Sequence, residues 1–164
     1  MNLGIYISDL SDTKQLESIN NFVEQNYINP NIYDISIFYD NISFNPTNTK
    51  CGMFNSTDLW SFNGNIIVTS MDALNTSIKV INNINIFYYY GWENKINTLD
   101  LLKCLNLDNR INLICKNEKD VKEIYRLTGK GAVGISENFQ NIIDLLIGHK
   151  DEYQSNNNNV YQTA

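Results

Sequence analysis

Hydroxyl, carboxylate and amine side chains recur in this sequence at the ends of short apolar runs. Ser8 and Asp9 follow Leu3–Ile7, Asp40 follows Ile35–Tyr39, and Thr69, Ser70 and Asp72 follow Ile66–Val68. Glu93 stands behind Tyr90-Gly91-Trp92, Lys116 behind Ile111–Cys115, and Ser136 and Glu137 behind Ala132–Ile135. Several stand just ahead of a helical pattern, where free backbone N–H groups can receive a phosphate or carboxylate. The same residue types also serve as plain helix caps, which accounts for most such positions without a ligand. Ser8, Asp9, Asp40, Thr69, Ser70, Tyr90, Trp92, Glu93, Lys116 and Ser136 are the ligand-binding candidates. No catalytic residue is assigned, because nothing in the sequence brings two carboxylates together for acid–base work.

Several chemistries are poorly served. The turn after the first apolar run reads Ser8-Asp-Leu-Ser-Asp12, without the glycine that lets a dinucleotide's pyrophosphate approach the backbone. A GxxxxGK[ST] loop is absent, and Gly129-Lys-Gly-Ala-Val-Gly134 precedes a strand pattern instead of following one, so it reads as a helix stop. The single histidine, His149, excludes multi-histidine metal sites. Cys51, Cys104 and Cys115 lack CxxC spacing and read as reduced, buried thiols in a cytoplasm-like compartment. No metal and no cofactor is expected.

The net charge of −6 and pI of about 4.6, with no run of Lys and Arg, argue against nucleic acid and against an anionic membrane surface. No apolar run approaches the ~20 residues of a spanning helix, and the run after Met1 is too short for a signal peptide. Asn and Ile are abundant and Pro and Ala scarce, the bias an AT-rich genome produces, so Asn-rich stretches carry no functional weight here.

The elements that must position the candidates read as alternating strands and helices around Gly64–Trp92. Strands are predicted at Leu3–Ser8, Ile35–Tyr39, Ile66–Thr69, Ile84–Tyr90, Ile111–Cys115 and Ala132–Ile135, most of them apolar on both faces as in a covered parallel sheet. Helices are predicted at Thr13–Tyr27, Met71–Ile81, Thr98–Leu105, Glu118–Leu127 and Asn138–Ile147. Their stripes include Met71, Leu74, Ile78 and Ile81; Leu99, Leu101, Leu102 and Leu105; and Val121, Ile124 and Tyr125. Ser70 or Asp72 is the expected cap of the second helix and Ser136 of the last. The long connection 40–63 is expected to hide a short edge strand, Cys51–Asn55, and a helical turn carrying Leu59, Trp60 and Phe62, capped from Ser56-Thr57-Asp58. The fold class is α/β: a Rossmann-like three-layer sandwich, with a mainly parallel sheet of about six strands and helices on both faces. Residues 1–148 form one such domain and 149–164, with four consecutive Asn, a flexible polar tail.

Tyr88-Tyr89-Tyr90-Gly91-Trp92-Glu93 is the least generic stretch. Core packing is its plain reading. The functional alternative is an aromatic lip of Tyr90 and Trp92, joined by Trp60 and Phe62, over a ligand or a partner.

Gly64-Asn-Ile-Ile-Val-Thr-Ser70, the helix after it and Asn85-Ile-Phe-Tyr-Tyr-Tyr-Gly-Trp-Glu93 resemble the middle of the amino-terminal half of GT-B glycosyltransferases. Asn112–Asn117 and Val133–Asn138 are similar to the segment that follows. The likeness covers about Gly64 to Leu146 and is a pattern of strands, without catalytic residues. It implies a half-enzyme, since GT-B enzymes need a second Rossmann-like domain to hold most of the nucleotide-sugar. The length and composition also look like short proteins of T4-like marine phages. The expectation is a non-catalytic or incomplete Rossmann-like domain that works in the cytoplasm by binding a protein partner or itself. The alternative is a glycosyltransferase-like enzyme or nucleotide-sugar binder. A response-regulator-like receiver using Asp9, Asp40 and Lys116 ranks last, because no middle strand ends in Asp.

Overall fold

The computed structural model describes residues 1–11, 13–42, 49–92 and 97–147. Seven parallel strands form one sheet: β1 (Asn2–Asp9), β2 (Asp34–Asn41), β3 (Gly52–Asn55), β4 (Gly64–Val68), β5 (Ile84–Tyr90), β6 (Ile111–Cys115) and β7 (Gly134–Ile135). Their order is β3-β2-β1-β4-β5-β6-β7, and every neighbouring pair runs parallel. The helices are α1 (Thr13–Asn26), α2 (Met71–Ser77), α3 (Thr98–Leu107) and α4 (Glu118–Thr128). A 3₁₀ turn at Ser56–Ser61 joins β3 to β4, and another at Phe139–Asn141 leads into helical residues 142–147.

The pleat sorts the strand side chains into two cores. Tyr6, Phe38, Ile66, Val68, Ile86, Tyr88 and Leu113 face α2, α3, α4 and the first 3₁₀ turn. Leu3, Ile5, Ile37, Ile67, Phe87, Tyr89 and Ile114 face α1 and residues 139–147. Right-handed crossovers require this split: the chain winds outward from β1 to β3, returns to the other side of β1, and winds outward again from β4 to β7. The α/β sandwich is therefore present, with seven strands where about six were expected.

Local departures have local causes. Helix α2 stops at Ser77, four residues short of the predicted end, and Ile81 is left exposed. Its caps explain this. Ser70 Oγ accepts from Ala73 N at 3.1 Å. Beyond Ser77 the backbone tightens to i→i−3 bonds, from Lys79 N to the Thr76 carbonyl and from Val80 N to the Ser77 carbonyl at 3.1 Å, and the Arg110 guanidinium takes up the carbonyls left over at Ile78, Val80 and Asn82 at 2.8–3.3 Å. Leu99 and Tyr125 lie on the outer faces of α3 and α4, where the sequence stripes placed them inside. The helical turn after β3 is capped by Asn55, whose side chain accepts from Thr57 N, and not by Ser56–Asp58. Asn138 caps the last helical segment by accepting from Asn141 N, while Ser136 turns its hydroxyl onto the Asn138 carbonyl at 2.6 Å. Gly129 ends α4 in the left-handed conformation at φ 70°. The tail, with His149, lies outside the described residues.

Candidate functional site

The crossover direction reverses between β1 and β4, and in open parallel sheets ligands enter at the carboxyl ends of the strands flanking that point. Ser8, Asp9, Thr69 and Ser70 stand there. The Ser8 and Ser70 hydroxyls share a hydrogen bond of 2.5 Å. Thr69 places both its N–H and its Oγ1 on the Tyr6 carbonyl, at 3.3 and 3.0 Å, extending the β1–β4 ladder past the end of β4. Asp9 turns outward and accepts from Ser11 N at 2.8 Å; hydrogen bonds from Ser11 hold its carboxyl below the ordinary carboxylate value. On the neighbouring strand Asp40 accepts from the Tyr6 hydroxyl at 2.7 Å. Burial pushes that phenol up, and Asp40 adds to the rise.

The other candidates are dispersed. Tyr90 is buried on the α4 side of the sheet, its ring edge-on to Tyr88 with 6.5 Å between centroids. Trp92 crosses to the opposite side and packs on Tyr89 and Phe139 at 5.3 and 5.4 Å. The change of side follows from Gly91, whose φ of 90° breaks the strand alternation. Tyr89 donates to the Ser136 carbonyl at 2.7 Å, so Ser136 belongs to this buried aromatic corner. Lys116 is exposed at the end of β6, and Glu93 lies outside the described residues. Trp60 sits at the other end of the sheet, where Asn82 Nδ2 bonds its carbonyl, and Phe62 packs edge-on against Phe38 at 5.3 Å. Tyr90, Trp92, Trp60 and Phe62 therefore do not form one lip.

A different cluster gathers at the amino-terminal end of the sheet. Parallel strands start there and helices end there, so every helix-to-strand turn emerges on one rim. These turns carry Tyr27, Ile28 and Tyr33 before β2, Trp60 before β4, Ile81 before β5 and Leu107 before β6, each between 49 and 88 % exposed. The turns brace one another. Tyr33 N bonds the Met1 carbonyl and the amino terminus bonds the Asn31 carbonyl. Asn2 bonds the Asn63 carbonyl, Asn82 bonds the Trp60 and Phe62 carbonyls, and Gly64 N bonds the Asn83 carbonyl. Arg110, held by Asp108 at 2.6 Å, fastens the turn before β5 to the turn before β6. A cavity of about 380 Å³ opens at the β2–β3 end, lined in part by Tyr27, Tyr33, Asp34, Lys50 and Cys51. Burial, reinforced by Asp34, pushes the Cys51 thiol up to about 11, so it stays protonated near neutrality.

Sequence reasoning missed this rim because it placed Ile81 on a buried helical stripe and Trp60 in a lip with Trp92, and gave the Asn-rich stretch between Tyr27 and Tyr33 no functional weight. The available signal was large apolar residues within breaker segments, as in Tyr27-Ile-Asn-Pro-Asn-Ile-Tyr33 and Ile81-Asn-Asn83.

Fold and switch point together define a doubly wound α/β protein of the Rossmann-like class. Comparison with protein-family models, curated proteins and solved structures gives no match. Among the described residues no three His, Cys, Asp or Glu side chains converge, and no helix is long and apolar enough to cross a membrane.

Proposed function

We propose that this chain is a non-catalytic Rossmann-like domain that acts by binding a protein through the amino-terminal rim of its sheet. The carrying observation is the row of exposed large apolar side chains on mutually braced turns. Such a rigid, aromatic-bearing surface loses little entropy on docking and matches the composition of interface cores. The carboxyl end offers less, since Ser8, Ser70, Thr69, Tyr6 and Asp40 are bonded to one another. Photo-crosslinking in cells tests the reading. A benzophenone amino acid at position 33 or 81 should trap a protein, while one at position 99 or 125 should not. Equal yields from all four positions, or none from the rim, would refute it.

A second reading keeps the GT-B likeness: a nucleotide-sugar binder using the switch point. Its support is the strand order, with Ser8, Asp9, Thr69 and Ser70 collected at the crossover reversal. Calorimetry against UDP- and GDP-sugars tests it. It requires heat that Ser8→Ala diminishes, and absence of heat with every sugar rejects it.

A further inference from the structure

We infer that the occupant of the rim is a second copy of this chain, an inference that rests on the protein-binding reading above. The first ground is charge. Two copies each carrying a net charge of −6 repel over most of their surface. The rim is where that repulsion lapses. Residues 27–33, 59–65 and 80–85 contain no Asp, Glu, Lys or Arg. The charges that border these segments are of both signs, Asp34 and Asp58 against Lys79, and the Arg110 beyond them is paired with Asp108.

The second ground is self-complementarity. The polar groups interleaved with Tyr27, Ile28, Tyr33, Trp60, Ile81 and Leu107 are largely asparagine amides, among them the exposed Asn31, Asn63 and Asn83. An amide both donates and accepts, so the same surface can satisfy its own image across a twofold axis. A face of carboxylates or of ammonium groups could not do this.

The third ground is size. The rim crosses from β2 to β6, roughly 19 Å at the usual strand spacing. Its large side chains expose on the order of 900 Å², taking about 200 Å² for each when fully bare. A standard interface covers about 800 Å² of each partner. The exposed surface of these side chains is thus of the size that a twofold dimer covers on each partner.

Light scattering after size-exclusion chromatography, over a concentration series, tests this. The wild type should approach twice the 18.9 kDa of the chain. Tyr33→Asp with Ile81→Asp should return it to monomer, raising the dissociation constant at least about a hundred-fold, as loss of two interface anchors demands. The control Leu99→Asp with Tyr125→Asp, exposed on α3 and α4, should remain dimeric. Should the first variant lose its circular dichroism, Ile81→Ser with Leu107→Ser makes the same comparison with smaller disturbance. A dimer that survives the rim variants places the contact elsewhere and overturns the inference. A wild type that stays monomeric also overturns it. In that case rim-dependent crosslinks to a different protein leave the protein-binding reading standing, and their absence removes both.

Discussion

Replacing Arg110 by Met should destabilise the fold by about 3 kcal/mol and loosen the amino-terminal rim. The guanidinium donates to the carbonyls of Ile78, Val80 and Asn82, and its Nε and Nη2 bond both oxygens of Asp108. Its side chain is 32 % exposed and that of Asp108 11 %. Water can therefore replace part of the lost bonding to the carbonyls, but it reaches the stranded carboxylate poorly. A fully buried broken pair would cost about 3–5 kcal/mol, and an exposed one under about 1; the partial burial places this pair near the lower end of the first range. Urea unfolding at neutral pH measures it, and for a chain of this size the midpoint temperature should fall by roughly 6–12 °C. Burial alone would raise the Asp108 carboxyl, but the Arg110 side chain and backbone N–H outweigh it and hold the group below its ordinary value. The unfolded chain therefore binds the proton more readily. The associated stability is present above about pH 4 and lost as pH falls through the folded value. Arg110→Met should flatten that acid limb, and adding Asp108→Asn should recover about 1 kcal/mol by removing the stranded charge. A loss below about 1 kcal/mol, or an unchanged acid limb, would refute the bracing role of Arg110.

Three further outcomes are expected. Gly64→Ala should cost about 2–4 kcal/mol by urea unfolding, because φ is 139° and a Cβ would lie 2.5 Å from the Asn2 carbonyl oxygen; a neutral result would mean that β1 and β4 slide apart freely. Phe139→Ala should cost about 3–5 kcal/mol and shift Trp92 emission to the red, since Phe139 is fully buried against Phe22, Tyr89 and Trp92; unshifted emission would contradict the packing. Burial, with Asp120 adding, pushes the Cys115 thiol up to about 12, so iodoacetamide near pH 8 should modify it only after unfolding, as mass mapping of the alkylated cysteines would show.

The strands were legible because a parallel sheet covered on both sides demands unbroken apolar runs, and Ile84–Tyr90 and Ile111–Cys115 were read to the residue. The edge strand Gly52–Asn55 was also visible, through the improbability of a long structureless connection. Helix ends were less so. Periodicity carries Met71–Leu74–Ile78 onward to Ile81, but after Ser77 the backbone tightens to i→i−3 bonds and the distant Arg110 caps the carbonyls left over. The stripe reading likewise placed Leu99 and Tyr125 inside, although Leu99, two residues from Leu101, falls off the face that Leu101, Cys104 and Leu105 bury, and in α4 Ile124 takes the buried position beside Tyr125. At the strand ends the sequence named the polar residues but not their partners. That Ser8 meets Ser70, or that Tyr6 takes Asp40, depends on the order of strands, which no local pattern records.

The two ends of the sheet differ in what their exposed groups still lack. At the switch point Ser8 and Ser70 already share one hydrogen bond, and a wider opening would break the Thr69–Tyr6 bonds that continue the ladder. Each such bond is worth about 1 kcal/mol to the closed form, and a ligand recovers it only by offering equivalent donors and acceptors. At the amino-terminal rim the balance runs the other way. Each large apolar side chain left in water forgoes about 1.5–3 kcal/mol that burial would release. The turns bearing these side chains are already held by Arg110, Asn2 and Asn82, so docking there requires little further ordering. Burial at the strand starts therefore needs no prior rearrangement, whereas at the strand tips part of the hydrogen-bonding capacity is already used. That contrast is the physical argument for the docking role we propose for the rim.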